Sequence, residues 1–317
     1  MSEGARHPIV APLREAGEFD LVRAIAAALG DRAAELGDDA AVFPLPHGDS
    51  PVVSVDASVE GVHFRREWLE PREIGYRAAA AAMSDLAAMA AAPRALLLAL
   101  TLPPDRTGDV AAIADGVGEL TASVGALVVG GNLAVATELS LTTTVIGSVR
   151  TPLRRTGLQP ADRLYVTGRL GGAGAALADL LAGRTPAPER RQRFARPEPR
   201  IREAQWLAAA GAVAAIDISD GLHADLENLA AASGVAIRLD ARRIPCFPGV
   251  SAEEALTSGE EYELIVGARN GFDAAAFEAR FGIPLTEVAT VGQGSAGVVV
   301  EGIARVAKAH GHDHFSR

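Results

Sequence analysis

In the stretch Pro51-Val52-Val53-Ser54-Val55-Asp56 apolar and polar side chains alternate from Val53 onward, and this period of two predicts a strand from Pro51 to Val55. In that register Ser54 and Asp56 share one face while Val53 and Val55 occupy the other. Asp56 then falls at the strand's end, on a sheet edge where ligand sites commonly form; a turn-forming aspartate is the alternative reading. Working outward toward the N-terminus, the short apolar run Ala40 to Pro44 reads as a second strand, and Phe19 to Leu29 carries apolar residues at helical spacing with Gly30 as a stop. In the other direction Pro71 starts an alanine-rich helix expected to run to Ala92 and end at Pro93. A buried strand over Ala95–Leu102, a helix over Thr107–Val124, a short strand over Ala126–Val129 and an alternating strand over Leu139–Arg150 complete a first domain, residues 1–150. Strands, helices and further strands in this order predict an α+β layered fold, not a doubly wound parallel sheet.

Residues 151–317 read as a second domain, since 317 residues are long for one core and comfortable for two. It opens with a strand over Asp162–Thr167 and the glycine-rich run Gly168–Gly174, which leads into a helix over Ala175–Leu181. Thr185–Pro199 reads as a Pro- and Arg-rich connection, followed by a helix over Arg200–Ala210 and a strand over Ala214–Ile218. A helix over Leu222–Ala232 stops at Gly234, and strands follow over Val235–Leu239 and Tyr262–Val266. A helix over Phe272–Phe281 and a closing hairpin end the chain.

The charge balance narrows the function. Formal net charge is −10, so the chain lacks the clustered cations that neutralise nucleic-acid phosphates, and no nucleic-acid partner is expected. Lys308 is the single lysine, which removes the usual Lys-based handling of phosphate, the Walker loop included. The arginines between Arg190 and Arg202 read as a solvated helical face. One cysteine, Cys246, allows no internal disulfide and reads as an inert packing residue. Met1–Gly17 is no secretory signal and no run is apolar enough to span a bilayer, so a cytoplasmic protein with no membrane partner is expected.

Acidic residues recur instead in short segments flanked by Gly or Ser. These are Gly37-Asp38-Asp39, Ser54-Val55-Asp56, Ser84-Asp85, Asp217-Ile218-Ser219-Asp220-Gly221 and Gly259-Glu260-Glu261-Tyr262. Carboxylates at the ends of apolar elements, far apart in sequence, are the donor type that hard cations select, and such cations commonly hold nucleotide phosphates. Asp85 has only Ala81, Ala82, Ala88 and Met89 at helical neighbour positions, so its compensation must come from another element unless it faces solvent. Asp217 lies between two isoleucines, while Asp220 either joins it or caps the following helix. Glu260, Glu261 and Glu263 read by default as a solvated turn. Gly168–Gly174 and Gly130-Gly131-Asn132 are places where backbone N–H groups can approach an anion. His63, just beyond the Asp56 segment, is placed to touch a substrate anion. No residue stands out as acid/base or covalent nucleophile.

In order and spacing these segments resemble the thiamine-monophosphate kinase family, a branch of the superfamily that holds the aminoimidazole ribonucleotide synthetases, selenophosphate synthetases and a hydrogenase maturation protein. Glu60-Gly61-Val62-His63-Phe64, Ser84-Asp85-Leu86-Ala87-Ala88-Met89, Leu153-Arg154-Arg155-Thr156-Gly157, Asp217-Ile218-Ser219-Asp220-Gly221-Leu222 and Ser258-Gly259-Glu260-Glu261-Tyr262-Glu263-Leu264 carry it. The resemblance implies a PurM-like fold of two α+β domains, the first binding ATP and Mg²⁺ and pairing its sheet in a homodimer, the second of α/β type. It implies ATP as co-substrate, several Mg²⁺ ions, and transfer of phosphate to thiamine monophosphate. By position, Asp39, Ser54, the backbone of Val55, Asp56, Asp85, Asn132, Asp217 and Asp220 would hold metal. Asp39, Gly131, Asn132, Arg155 and Ser219 would hold ATP, and His63, Glu260 and His312 would meet the thiamine substrate. The chain departs from the family pattern at Asn132, where a metal-binding carboxylate is usual, at Glu261, where Asp is usual, and at His312, where an aromatic is usual.

Overall fold

The computed structural model describes residues 18–33 and 45–303. The chain divides into two compact units, residues 1–86 with 92–151, and residues 87–91 with 152–317.

The first unit contains helix α1 (Glu18–Leu29), strand β1 (Ser50–Val59), helix α2 (Pro71–Ala88), strand β2 (Ala92–Leu102), helix α3 (Val110–Ser123) and strands β3 (Leu127–Val135) and β4 (Ser140–Val149). The strands form one sheet in the order β1-β4-β2-β3, with β4 antiparallel to both its neighbours and β3 parallel to β2. Alanine explains α2: it is the strongest helix former and small enough to be surrounded. Ala78 through Ser84 are all buried, so this helix is covered nearly all round. Where α2 meets α3 the backbones touch, since a Cβ on Gly75 would lie 2.0 Å from the Ile113 carbonyl oxygen and one on Gly116 1.9 Å from that of Arg72. The helix stops at Ala88, short of the expected Ala92, because Ala90 turns into the left-handed region at φ 53°. Pro93 is therefore the second residue of β2, ahead of the pairing with β3 that begins at Ala95.

The second unit contains β5 (Arg163–Thr167), α4 (Gly172–Leu181), α5 (Pro188–Ala195), α6 (Ile201–Ala209), β6 (Ala212–Asp217), α7 (Leu222–Ser233), β7 (Ala236–Asp240), α8 (Ala252–Thr257), β8 (Leu264–Ala268), α9 (Ala274–Phe281), β9 (Leu285–Gly292) and β10 (Gly297–Glu301). Its sheet runs β10-β7-β9-β5-β8-β6, antiparallel throughout except for β10 beside β7. Leu164, Val166, Ile216, Leu226, Leu229, Ile237 and Ile265 belong to its aliphatic core. Mixed helices and sheets in both units make the protein α+β.

Three expectations need correcting here. The closing hairpin does not form, because β10 pairs in parallel with β7 and β7 separates it from β9. The connection after Thr185 holds helix α5, which has Pro at its start and Glu189 in its first turn but buries only Phe194 and Ala195. Eight residues with so narrow an apolar face carry no readable period. Helix α8 was also missed, although Ser251 and Glu254 form a reciprocal capping box that marks its start. The expected strand Ala40–Pro44 lies outside the described residues.

Candidate functional site

In the first unit β1 is longer than Pro51–Val55, so Asp56 sits inside the strand, opposite Thr143 of β4, and not at its end. The alternation is as read: Ser54 and Asp56 are half-buried while Val53 and Val55 are 62% and 64% exposed on the other face. The Asp56 carboxylate accepts the N–H of Ala57 at 2.8 Å. Asp85 projects from α2, where no cation lies at a neighbouring helical position, and β1 answers it: the Ser54 hydroxyl donates to the Asp85 carboxylate. Strand and helix thus bring Ser54 and Asp85 together.

His63 occupies a tight loop after β1, closed by Glu60 bridging to Phe64 and by the His63 N–H donating to the Val59 carbonyl at 2.9 Å. Its Nδ1 accepts the Val59 N–H at 3.1 Å, which leaves the proton of the neutral ring on Nε2. Gly130-Gly131-Asn132 lies within β3, not after a strand ending at Val129, because a bulge sets Leu96 opposite Val128 and Leu97 opposite Gly130. Past the bulge, Asn132 shares a cross-strand row with Ala99, Thr142 and Ala57, whereas Asp56 shares one with Thr143, Leu98 and Gly131. Adjacent rows leave opposite sides of a sheet, so Asn132 is not gathered with Asp56. Gly131 has its own packing reason, since a Cβ there would lie 1.9 Å from the Leu98 carbonyl oxygen. Asp39 and His312 lie outside the described residues.

In the second unit Asp217 ends β6 and is buried, and the exposed pair Ser219 and Asp220 follows. Asp220 does not cap α7; Gly221 holds that position with φ 113° and no side-chain cap. Capping runs the other way. Asp225, in the first turn of α7 and 1% exposed, accepts the N–H groups of Ser219 at 3.1 Å and Asp220 at 3.2 Å. Burial above all, then the charges of Asp217 and Asp220, push its carboxyl up to about 7. Asp225 escaped the sequence reading because an acid in a helix's first turn looks like an ordinary dipole partner. The side chain of Arg155 is exposed, and its carbonyl accepts the Ser233 hydroxyl at 2.9 Å.

The Glu260 segment lies directly beside this loop. The Glu260 N–H donates to the Ser219 carbonyl at 2.7 Å, the Tyr262 N–H to that of Ile218 at 2.9 Å, and the Ile218 N–H to that of Glu263 at 2.7 Å. Glu260 and Tyr262 adopt φ of 56° and 52°, a left-handed conformation that costs about 1–3 kcal/mol per non-glycine residue. Between them Glu261 points inward. Its Oε1 accepts the N–H groups of Gly171 at 2.9 Å and Ala173 at 3.2 Å and the Ser258 hydroxyl at 2.5 Å. The glycine run before α4 does hold an anion, and that anion is the chain's own glutamate.

Glu263 takes a different set of donors. Arg200 grips it through two nitrogens at 2.8 and 2.6 Å, Arg193 reaches it at 2.9 Å, and the Thr167 hydroxyl at 2.7 Å. Burial pushes the Glu263 carboxyl up, but Arg200 and Arg193 outweigh it and hold the group below its ordinary value. For Glu261 burial wins over Arg193 and the carboxyl is pushed up. Both glutamates are 1% exposed, so neither belongs to a solvated turn, and the buried Arg200 does not belong to a solvated face. Among the described residues no three His, Cys, Asp or Glu side chains form a cluster able to hold a metal by themselves. No helix among them is long and apolar enough to cross a membrane.

Residues 37–149 match the family AIR synthase related protein, N-terminal domain, and residues 159–302 match AIR synthase related protein, C-terminal domain. A thiamine-monophosphate kinase of Bacillus subtilis (strain 168) is 33% identical over 266 residues, 78% of this chain and 82% of its own length. The chain belongs to the thiamine-monophosphate kinase family. The crystal structure of thiamine-monophosphate kinase from Stenotrophomonas maltophilia K279a superposes with a TM-score of 0.80 at 33% identity, covering 92% of this chain and 98% of that one. AaThiL complexed with AMPPCP and TMP superposes with a TM-score of 0.75 at 29% identity, covering 97% and 100%. Within this thiamine-monophosphate kinase family member the acidic segments fall into two kinds. Asp56, Asp85, Asp220 and Glu260 keep part of their surface open, whereas Asp225, Glu261 and Glu263 are enclosed by hydrogen-bond donors of the chain itself.

Proposed function

We propose that this chain transfers the γ-phosphate of ATP to the phosphate of thiamine monophosphate, giving thiamine diphosphate and ADP. What carries the reading is the likeness, over nearly the whole chain, to an AaThiL structure that holds AMPPCP, a non-hydrolysable ATP analogue, together with TMP. A phosphate oxygen of the acceptor bonds to the γ-phosphorus as the bond from that phosphorus to the β,γ-bridging oxygen breaks, and the electron pair leaves with ADP. The acceptor is already an anion, so no side chain need act as base or nucleophile.

Asp39, Ser54, the Val55 backbone, Asp56, Asp85, Asn132, Asp217 and Asp220 are the residues that would hold several Mg²⁺ ions, Asn132 not the same ion as Asp56, since the two leave opposite sides of the sheet. All are oxygen donors, as this ion requires, and Mg²⁺ commonly uses one or two carboxylates with substrate phosphates completing its shell, so a preformed protein cage is not needed. When bound, the ion offsets the repulsion between two phosphates. Ser54 orients Asp85 for that task. His63, with its proton on Nε2, donates toward the substrate anion, and the Glu260 carboxylate complements the cationic ring of thiamine. Gly131, Arg155 and Ser219 receive ATP with Asp39 and Asn132. His312 would complete the thiamine contacts. We assign residues 1–150 as the N-terminal PurM-like domain that binds ATP and Mg²⁺ and dimerises, and residues 151–317 as the C-terminal PurM-like domain, which carries Arg155, Asp217, Ser219 and Asp220.

Incubation with ATP, Mg²⁺ and thiamine monophosphate should yield ADP and thiamine diphosphate in equal amounts, read by chromatography, and a chelator should stop it. Nucleotide binding without ADP release would sink the kinase reading and favour a non-catalytic nucleotide binder, the alternative to which the neutral Asn132 points. The first unit also supports a homodimer: Val53 and Val55 lie uncovered on its sheet, in rows with Ile146, Thr144 and Leu97. Val53→Asp with Val55→Asp should halve the mass seen by light scattering; a wild-type monomer would refute the dimer.

A further inference from the structure

We infer that Glu261 is a positioning residue, whose buried carboxylate, clamped to the start of α4, fixes the backbone that presents Glu260 to the thiamine end of the substrate. This rests on the reading of Glu260 under the proposed function. The clamp is built from four hydrogen bonds. Gly171 and Ala173 donate directly to Glu261, and Gly174 donates at 3.0 Å to the Ser258 hydroxyl, which itself donates to Glu261. Gly171 can serve because its φ of 94° and the 2.4 Å approach of Val250 to its would-be Cβ both demand glycine. The residues on either side of Glu261 are the two held left-handed in this loop, and their N–H groups are the ones that donate to Ser219 and Ile218.

These contacts give each partner a separate task. The Ser219–Asp220 loop has its own anchor in Asp225, whereas the Glu260 turn is held from inside by Glu261. Two left-handed residues, Glu260 and Tyr262, one on each side of Glu261, persist only where the surroundings over-determine them, and the Glu261 side chain is what enters the α4 turn. Releasing it lets residues 260–262 relax toward ordinary φ, which moves the Glu260 side chain while Asp225 keeps the neighbouring loop in place.

The test is steady-state kinetics on the full chain with both substrates varied. Glu261→Gln keeps the shape and one acceptor oxygen but removes the charge, and should raise KM for thiamine monophosphate roughly 10-fold or more, with KM for ATP within about twofold. Ser258→Ala removes one hydrogen bond and should raise the same KM by roughly 3- to 10-fold, which keeps the inference open to refutation if the first variant fails to fold. Unchanged KM values in a folded variant would overturn it. So would a parallel loss of kcat and both substrate affinities with a lowered melting temperature, the signature of a merely structural role. If the wild-type chain itself turns over no thiamine monophosphate, the proposed function falls and takes this inference with it; an active wild type with indifferent variants sinks the inference alone.

Discussion

Asp85 in the first unit and Glu261 in the second are both carboxylates with no cation at neighbouring positions of their own segment, yet their surroundings differ in kind. Asp85 meets a serine hydroxyl from the adjacent strand and stays half-buried. Glu261 is sealed under two backbone amides and a hydroxyl, with Arg193 at 3.7 Å. A buried carboxylate gripped by donors of the chain, on one oxygen as in Glu261 or on both as in Glu263, supports the fold, and one left half-open is available to a ligand. The acidic segments of this family member mix the two kinds within a few residues, as Glu260, Glu261 and Glu263 show.

The widest gap between the two kinds should appear when an enclosed carboxylate loses its main cation. Arg200→Met leaves Glu263, 1% exposed, to Arg193 and the Thr167 hydroxyl alone, and equilibrium urea unfolding should show a loss of about 3 kcal/mol. Because the folded state holds the Glu263 carboxyl below its ordinary value, its contribution to stability is present above the ordinary carboxylate range and is lost as pH falls through the folded value. A variant as stable as the parent would mean that Glu263 has been assigned to the wrong kind.

Asp225 sharpens the contrast with the opposite sign. Its carboxyl stands at about 7 when folded against 3.8 as a free side chain, so between those values the unfolded chain is the more readily deprotonated. In metal-free buffer stability should therefore fall as pH rises from about 4 to about 7, by up to about 4 kcal/mol. Asp225→Asn retains an acceptor for Ser219 and Asp220 and should flatten that slope. Coincident slopes would show that another group causes the fall.

How much of this could be read beforehand follows from which interactions are local. The alternation around Ser54 and Asp56 and the helix stop at Gly234 are set by neighbours in sequence, and both occur where expected. Glu261 and the glycine run before α4 are 87 or more residues apart, and each alone looked like a solvated turn and an open anion cradle. Only the fold shows that one fills the other. Arg193 and Arg200 look locally like a solvated face for the same reason: their partner Glu263 lies far along the chain, on the approach to β8. The bulge in β3 that turns Asn132 away from Asp56 depends on pairing with β2, which no local pattern encodes.

On the half-open side, Asp85→Asn should cut turnover roughly 100-fold or more while shifting the unfolding midpoint little, since the side chain stays in place and loses only its charge. A normal rate would remove Asp85 from the reacting centre. A large loss of stability with it would place Asp85 among the enclosed carboxylates.

The smallest effect expected is at Ser54, and it tests the link between strand and helix. Ser54→Ala removes one hydroxyl donor from a carboxylate that water can still reach, so stability should drop by only about 0.5–1.5 kcal/mol. Turnover should fall less than in Asp85→Asn, because the variant loses a neutral oxygen donor and the grip on Asp85 while the charge of Asp85 remains. A fall as large as that of Asp85→Asn would show that the Ser54 hydroxyl matters to the metal as much as the Asp85 charge does. If neither rate nor stability moves, Asp85 is oriented by its other neighbours, and the hydroxyl contact is incidental to the difference between the two units.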